Sequence, residues 1–172
     1  MFIIAPLKGK EFKRSCDAIG GEFIRIAPGS PHCINVMAIR KNDERTAMVS
    51  KILDSDDMEE SILSEKISSL ETLFEIMVPD ISNEEEQLLN GHMMATYRKF
   101  GITDDNASLI DPDNPGEYRK MPTLKDPSDN MADDPRMTRI RNIMSKYVTG
   151  SAKNFSEQTN VALDNKYIVI DL

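Results

Sequence analysis

The chain begins and ends on short runs of apolar, mostly β-branched residues, Phe2-Ile3-Ile4-Ala5 and Tyr167-Ile168-Val169-Ile170. Apolar residues at successive rather than alternate positions mark strands buried on both faces, as in a parallel α/β sheet. Parallel neighbours require long crossover connections. The two ends therefore predict one sheet whose strands are supplied by both termini, with an insertion between them. Buried strands also need neighbours on either side, so the chain reads as a piece from the interior of a larger domain.

Between the ends, the first 40 residues read as a β-α-β unit. Phe2–Ala5 is the first strand, and Glu11 to Ile19 has helical spacing with Phe12, Cys16 and Ile19 on one face. Gly20-Gly21 stops that helix, and Glu22–Ile26 is the second strand. Ala27-Pro28-Gly29-Ser30-Pro31 is a loop, and Ile34–Met37 is a short extended piece. Residues 41–150 read as an inserted helical subdomain after a polar connector at 40–56. One helix is expected over Asp57–Met77, its apolar residues repeating at helical spacing and its first-turn acids facing the positive helix end. A second runs from Ser82 or Asn83 to Phe100, where Ser82 and Glu85 fit a capping box. Two helices so closely joined pack antiparallel. An acidic, proline-containing loop fills 101–135 with at most one short helical turn. A third helix spans Asp134–Val148, and residues 151–172 return to the sheet.

Composition narrows the class. No apolar stretch approaches the ~20 residues that span a bilayer, and there is no basic-then-apolar signal sequence. Cys16 and Cys33 are too few for a disulfide scaffold and are expected to be reduced and structural. The net charge of −8 argues against a free-standing nucleic-acid binder. The charge is uneven, however. Acids dominate 101–135, whereas the first 42 residues are basic and 136–153 contain no acid at all.

Motifs that would carry chemistry are incomplete. The phosphate-cradling G-x-x-x-x-G-K-[ST] loop is absent. Tyr167–Asp171 has the outline of an acidic Walker B strand, but apolar strands ending in Asp are common. His32 and Cys33 are adjacent and lack further ligands at zinc spacing, and His92 stands alone on a helix. Asp111, Asp113 and Glu117 superficially resemble a calcium loop that Pro112 and Pro115 interrupt. Arg136, Arg139 and Lys146 lie on the polar side of the third helix, as a solvated face or as one turned to phosphate or a partner. No G-x-S-x-G nucleophile elbow is present.

Several strings in order carry a resemblance: Ile4-Ala5-Pro6 with Glu11-Phe12; Gly20-Gly21-Glu22-Phe23-Ile24-Arg25-Ile26-Ala27-Pro28-Gly29-Ser30-Pro31-His32-Cys33-Ile34-Asn35; Gly101-Ile102-Thr103; Gly150-Ser151-Ala152-Lys153-Asn154-Phe155; and Leu163–Asp171. Together they resemble the conjugal-transfer ATPases of type IV secretion systems, the VirB/TraC/TrbE-type family, in the version found on Gram-positive conjugative elements. The resemblance covers nearly the whole chain. It implies a RecA-like P-loop ATPase domain with an all-helical insertion. The chain would start just after the Walker A helix and end before Walker B. On that comparison 1–40 and 151–172 belong to the core and 41–150 to the insertion. Glu11 matches the element that follows Walker A and would approach the nucleotide in the full-length protein. Ala5 stands where family members carry an Asp.

The resemblance implies ATP and Mg2+ as cofactors of the full-length parent and none for this segment. Without the Walker lysine and acids, phosphoryl transfer lacks its electrostatic support, so the isolated chain is expected to have no ATPase activity. Implied partners are other subunits of the same ATPase and secretion-channel proteins, with DNA a further one. The implied location is cytoplasmic, peripheral to the inner face of the membrane. Two readings stand beside this one: a stand-alone protein–protein interaction module of a mobile element, and an unrecognised hydrolase or metal enzyme.

Overall fold

The structure, a computed structural model, describes residues 2–5, 10–40 and 61–171. It divides into two compact units, one formed by residues 1–35 and 146–172 and the other by 36–145. The polar connector expected at 40–56 lies, beyond residue 40, outside the described residues.

The first unit is α/β. Strand β1 (Phe2–Ala5) is followed by helix α1 (Lys10–Ala18) and strand β2 (Glu22–Arg25). The chain returns much later as β3 (Ile168–Asp171). The three strands are parallel and ordered β1-β3-β2. The two ends of the sequence are thus direct neighbours, Phe2 beside Ile168 and Ala5 beside Asp171. As the central strand, β3 buries Ile168 and Val169 completely. Successive apolar residues suit a strand covered on both sides.

Helix α1 packs on β2 and β3, but through less of its surface than its spacing predicts. Cys16 is fully buried, whereas Phe12 and Ile19 are 39% and 61% exposed. The helix has only nine residues and meets strands of only four residues. The turn into β2 rests on two glycines with different tasks. Gly20 adopts φ +68, a left-handed conformation that a Cβ disfavours. Gly21 lies against Tyr167 and Cys16, and a Cβ there would come within 2.7 Å of the Tyr167 ring and 2.8 Å of the Cys16 sulfur.

The second unit is helical. Helix α2 (Ile62–Met77) begins five residues later than expected, because Ser61 caps it by accepting from the Ser64 amide. Residues 57–60, with the acids expected in its first turn, are outside the described residues. Leu63, Ile67, Leu70 and Phe74 form its buried stripe. Helix α3 (Asn83–Lys99) carries the expected Ser82–Glu85 capping box and buries Leu89, Met93, Thr96 and Tyr97. It packs on α2, where the Asn90 amide donates to Glu71 at 2.5 Å. Tyr97 is fully buried, and its hydroxyl donates to the Met37 carbonyl at 2.6 Å. Residues 34–37 form no strand; a turn stands at 36–37.

The acidic segment is more ordered than a solvated loop. It contains two 3-10 turns, Asn106–Leu109 and Pro135–Met137, and the short helix α4 (Lys125–Asn130). Its acids account for this order. Asp105 accepts from the Ala107 amide, Asp126 from Thr123 and Asp134 from Arg136, at 2.9, 2.7 and 3.0 Å. Asp side chains that bond nearby backbone amides build turns and caps. The apolar residues between them, Leu109, Met121, Leu124 and Met131, are buried. Helix α5 (Thr138–Val148) follows the second 3-10 turn directly. Among the described residues, no helix is long and apolar enough to cross a membrane.

Candidate functional site

The first unit carries a cleft at the carboxyl end of β2 and β3. In open parallel sheets this is the end where ligands collect. The register places Arg25 opposite Asp171, and the Ile26 amide donates to the Asp171 carbonyl at 2.8 Å. Their side chains meet with Arg25 Nε 3.6 Å from Asp171 Oδ2. Asp171 is largely covered, while the Arg25 side chain is 64% exposed.

The loop after β2 closes the cleft. Ser30 donates its amide to the Ala27 carbonyl, with Pro28 leading and Gly29 at φ +81. This is a type II turn, which places Pro first and Gly second. The loop then folds back on its own strand. Ser30 Oγ donates to the Arg25 carbonyl at 2.6 Å, and the Arg25 amide donates to His32 Nδ1 at 2.8 Å. Among the described residues β2 is an edge strand, and no further strand pairs its outward backbone groups. Ser30 and His32 satisfy them instead.

A second segment, 150–160, holds the loop from behind. Asn154 is 4% exposed and donates both amide hydrogens, to the Ser30 carbonyl at 2.9 Å and the His32 carbonyl at 2.7 Å. Asn160 donates to the Pro31 carbonyl and accepts from the Cys33 amide, each at 2.7 Å. The Asn35 amide donates to Thr159 Oγ1 at 2.9 Å. The cleft so formed has a volume of about 420 Å³ and is walled by Phe23, Pro28 and Pro31. Lys13, Arg25, His32 and Asp171 also line it, and the Lys13 ammonium lies 5.9 Å from the Phe23 ring centre. Its chemistry is that of binding: two cations, one imidazole and one carboxylate against apolar walls.

Of the residues singled out from sequence, His32 and Asp171 line the cleft, whereas Arg136, Arg139 and Lys146 do not. Glu11 belongs to α1, and its side chain lies outside the described residues. Arg136 and Arg139 belong to the second unit and each is engaged by its own carboxylate. Arg136 pairs with Asp134 through Nε and Nη2 at 2.9 and 2.8 Å. Asp134 is held down to about 2, chiefly by its hydrogen bond with Arg136. Arg139 forks onto Glu85 at 2.9 and 2.7 Å and also donates to the Pro79 and Asp80 carbonyls. Lys146, in the first unit, lies 5.5 Å from the ring centre of Tyr147. His92 stands 3.6 Å from Asp134. Burial pushes both the Cys16 and the Cys33 thiol up, away from nucleophilic character. Among the described residues no cluster of His, Cys, Asp and Glu could hold a metal ion.

The cleft residues Lys13 and Arg25 were not candidates from sequence, and His32 was weighed there only as a metal ligand. The signal available was positional: a Pro-Gly turn directly after a strand that ends in a cation.

No protein-family model and no curated protein matches the sequence. Among solved structures, VirB4 of Thermoanaerobacter pseudethanolicus matches with a TM-score of 0.70 at 23% identity. The match covers 99% of this chain and 58% of that one, so the chain spans rather more than half the length of VirB4. Both units fall within the match. The chain has the fold of a segment of VirB4.

Proposed function

We propose that this chain is the middle portion of a type IV secretion ATPase of the VirB4 kind. The observation that carries this reading is a structural match over 99% of the chain, joined to the family strings in Gly20–Asn35, Gly150–Phe155 and Leu163–Asp171. In this reading the first unit supplies inner strands of a RecA-like core. The second unit is the helical insertion, which moves with nucleotide state or contacts neighbouring subunits and channel proteins. The whole protein works in the cytoplasm at the inner face of the membrane and energises channel assembly or DNA transfer.

Among the described residues, those lining the cleft do not make a nucleotide–magnesium site. The sequence has no G-x-x-x-x-G-K-[ST] loop, and the cleft at the strand ends offers one carboxylate rather than a metal-binding group. Phosphoryl transfer needs a phosphate cradle, a lysine and metal-holding acids in one place. Hydrolysis therefore belongs to the larger protein and not to this segment.

The test is the reading frame on both sides of the segment, followed by phosphate release from ATP. An upstream Walker A loop and a downstream apolar strand ending in Asp-Glu are expected. The longer product should hydrolyse ATP and the 172-residue chain should remain at background. In-frame stops on both sides without those motifs would remove the ATPase reading.

A further inference from the structure

The cleft at the end of β2 and β3 has the makings of a binding site. We propose that it binds a phosphate group, carried either by a small ester or by a nucleic-acid strand. Three residues with donor side chains line it from three places in the chain: Lys13 from α1, Arg25 from the end of β2, and His32 from the loop.

Each donor is positioned by another contact. Lys13 lies against the Phe23 ring, an arrangement that favours a cation near the aromatic face. Asp171 Oδ2 lies 3.6 Å from Arg25 Nε, longer than a formed hydrogen bond. It therefore orients the guanidinium without consuming its planar fork of donors. His32 Nδ1 accepts from the Arg25 amide, which places the proton of a neutral imidazole on Nε2. The ring is thus a fixed donor whose orientation the backbone sets.

The chemistry selects the ligand. A fork, an ammonium and a ring N–H coming from separate elements suit a tetrahedral group with three acceptor oxygens better than a planar carboxylate. The volume of about 420 Å³ lies within the range of small-molecule sites. Phe23, Pro28 and Pro31 give an apolar surface for the rest of the ester. The single carboxylate, Asp171, opposes the anion and keeps the site weak. The 64% exposure of Arg25 keeps it open to a strand as well as to a small ester.

Binding to the 172-residue chain is measured by calorimetry and by backbone amide shifts, using inorganic phosphate, thymidine monophosphate and a short oligothymidylate. Saturable binding is expected, with shifts gathered at residues 25–32 and 171. Arg25→Gln and Lys13→Gln should each weaken it by about tenfold, the loss of one charge-assisted contact. Asp171→Asn should tighten it. Preference for the oligothymidylate assigns the phosphate to a strand, and preference for the monophosphate assigns it to a small ester. Melting curves establish that each variant is folded. Lys13 is an exposed helical residue outside the sheet, so its variant keeps the test valid if Arg25→Gln unfolds. Absence of saturation with all three probes, or binding unchanged in folded Lys13→Gln and Arg25→Gln, overturns the proposal. No probe carries a triphosphate and no hydrolysis is measured, so this outcome is independent of the ATPase reading.

Discussion

Asn154 donates to the carbonyl of His32 at 2.7 Å across 122 residues of sequence. Its other amide hydrogen goes to Ser30, so one buried side chain fixes the latter part of the loop that walls the cleft. Removing it leaves two carbonyls without these donors. Asn154→Ala is expected to cost about 2–3 kcal/mol, since each buried polar group left unsatisfied costs roughly 1–3 kcal/mol. Asn154→Asp should cost as much, because an ionised carboxylate cannot donate. Urea unfolding tests this: the midpoint should fall with the slope unchanged.

The two glycines before β2 should fail for different reasons. Gly21→Ala puts a methyl group 2.7 Å from a Tyr167 ring carbon and 2.8 Å from Cys16 Sγ. Overpacking of this sort costs about 1–3 kcal/mol. At Gly20 nothing stands within 4 Å of the added carbon, but φ is +68, so Gly20→Ala should cost about 1 kcal/mol through backbone strain alone. Asn tolerates that left-handed region. Gly20→Asn should therefore recover much of the loss, whereas Gly21→Asn should recover none. Thermal melts of the four variants separate crowding from strain.

Of the sequence strings that carried the resemblance, Gly150–Phe155 and Leu163–Asp171 both prove to be neighbours of Gly20–Asn35. Gly21 packs on Tyr167, Asn165 donates to the Gly20 carbonyl, and Asn154 and Asn160 hold Ser30–Cys33. They stood out as strings because side chain–backbone contacts over long separations demand particular residues, whereas a helix face accepts many. Strands β1, β2 and β3 and the Ser82 cap were legible for local reasons: β-branched runs and a capping box need only adjacent residues. Two features escaped. The acids of 101–135 read as solvated charge because composition cannot distinguish a free Asp from one capping a turn, as Asp105, Asp126 and Asp134 do. The cleft escaped because Lys13, Arg25 and Asp171 become neighbours only through the crossover that lays β3 beside β2.

Arg139, one of the basic residues expected on a solvated or partner-facing surface, is paired with Glu85 and stabilises the fold against acid. It holds Glu85 from its usual 4.5 down to about 2, chiefly through its hydrogen bonds to that carboxylate, with the Ser82 amide adding to the effect. A carboxylate whose folded value is depressed contributes stability above its unfolded value and loses it as pH falls. The Glu85 contribution should thus be complete above about pH 4.5 and disappear toward pH 2. Arg139→Gln should lower the melting temperature at neutral pH and flatten its decline over that acid window. Because Arg139 is nearly half exposed, added salt should weaken the pair. A variant with an unaltered acid profile would show that Glu85 is held by Ser82 alone.

Tyr97 provides the complementary test at alkaline pH. Its ring is fully buried, and its hydroxyl donates to the Met37 carbonyl at 2.6 Å. Tyr97→Phe keeps the packing and removes the donor, which should cost about 1 kcal/mol at neutral pH. Burial pushes the Tyr97 hydroxyl up from its usual 10, so the folded protein keeps a proton that the unfolded chain releases. The linkage sign follows: a folded state that binds more protons loses stability as pH rises past the unfolded value. Wild type should therefore lose its advantage over Tyr97→Phe above about pH 10, the two denaturation midpoints converging and then crossing. Parallel pH profiles for the two proteins would mean that the hydroxyl ionises in the folded state as readily as in the unfolded chain, which the buried hydrogen bond to Met37 opposes.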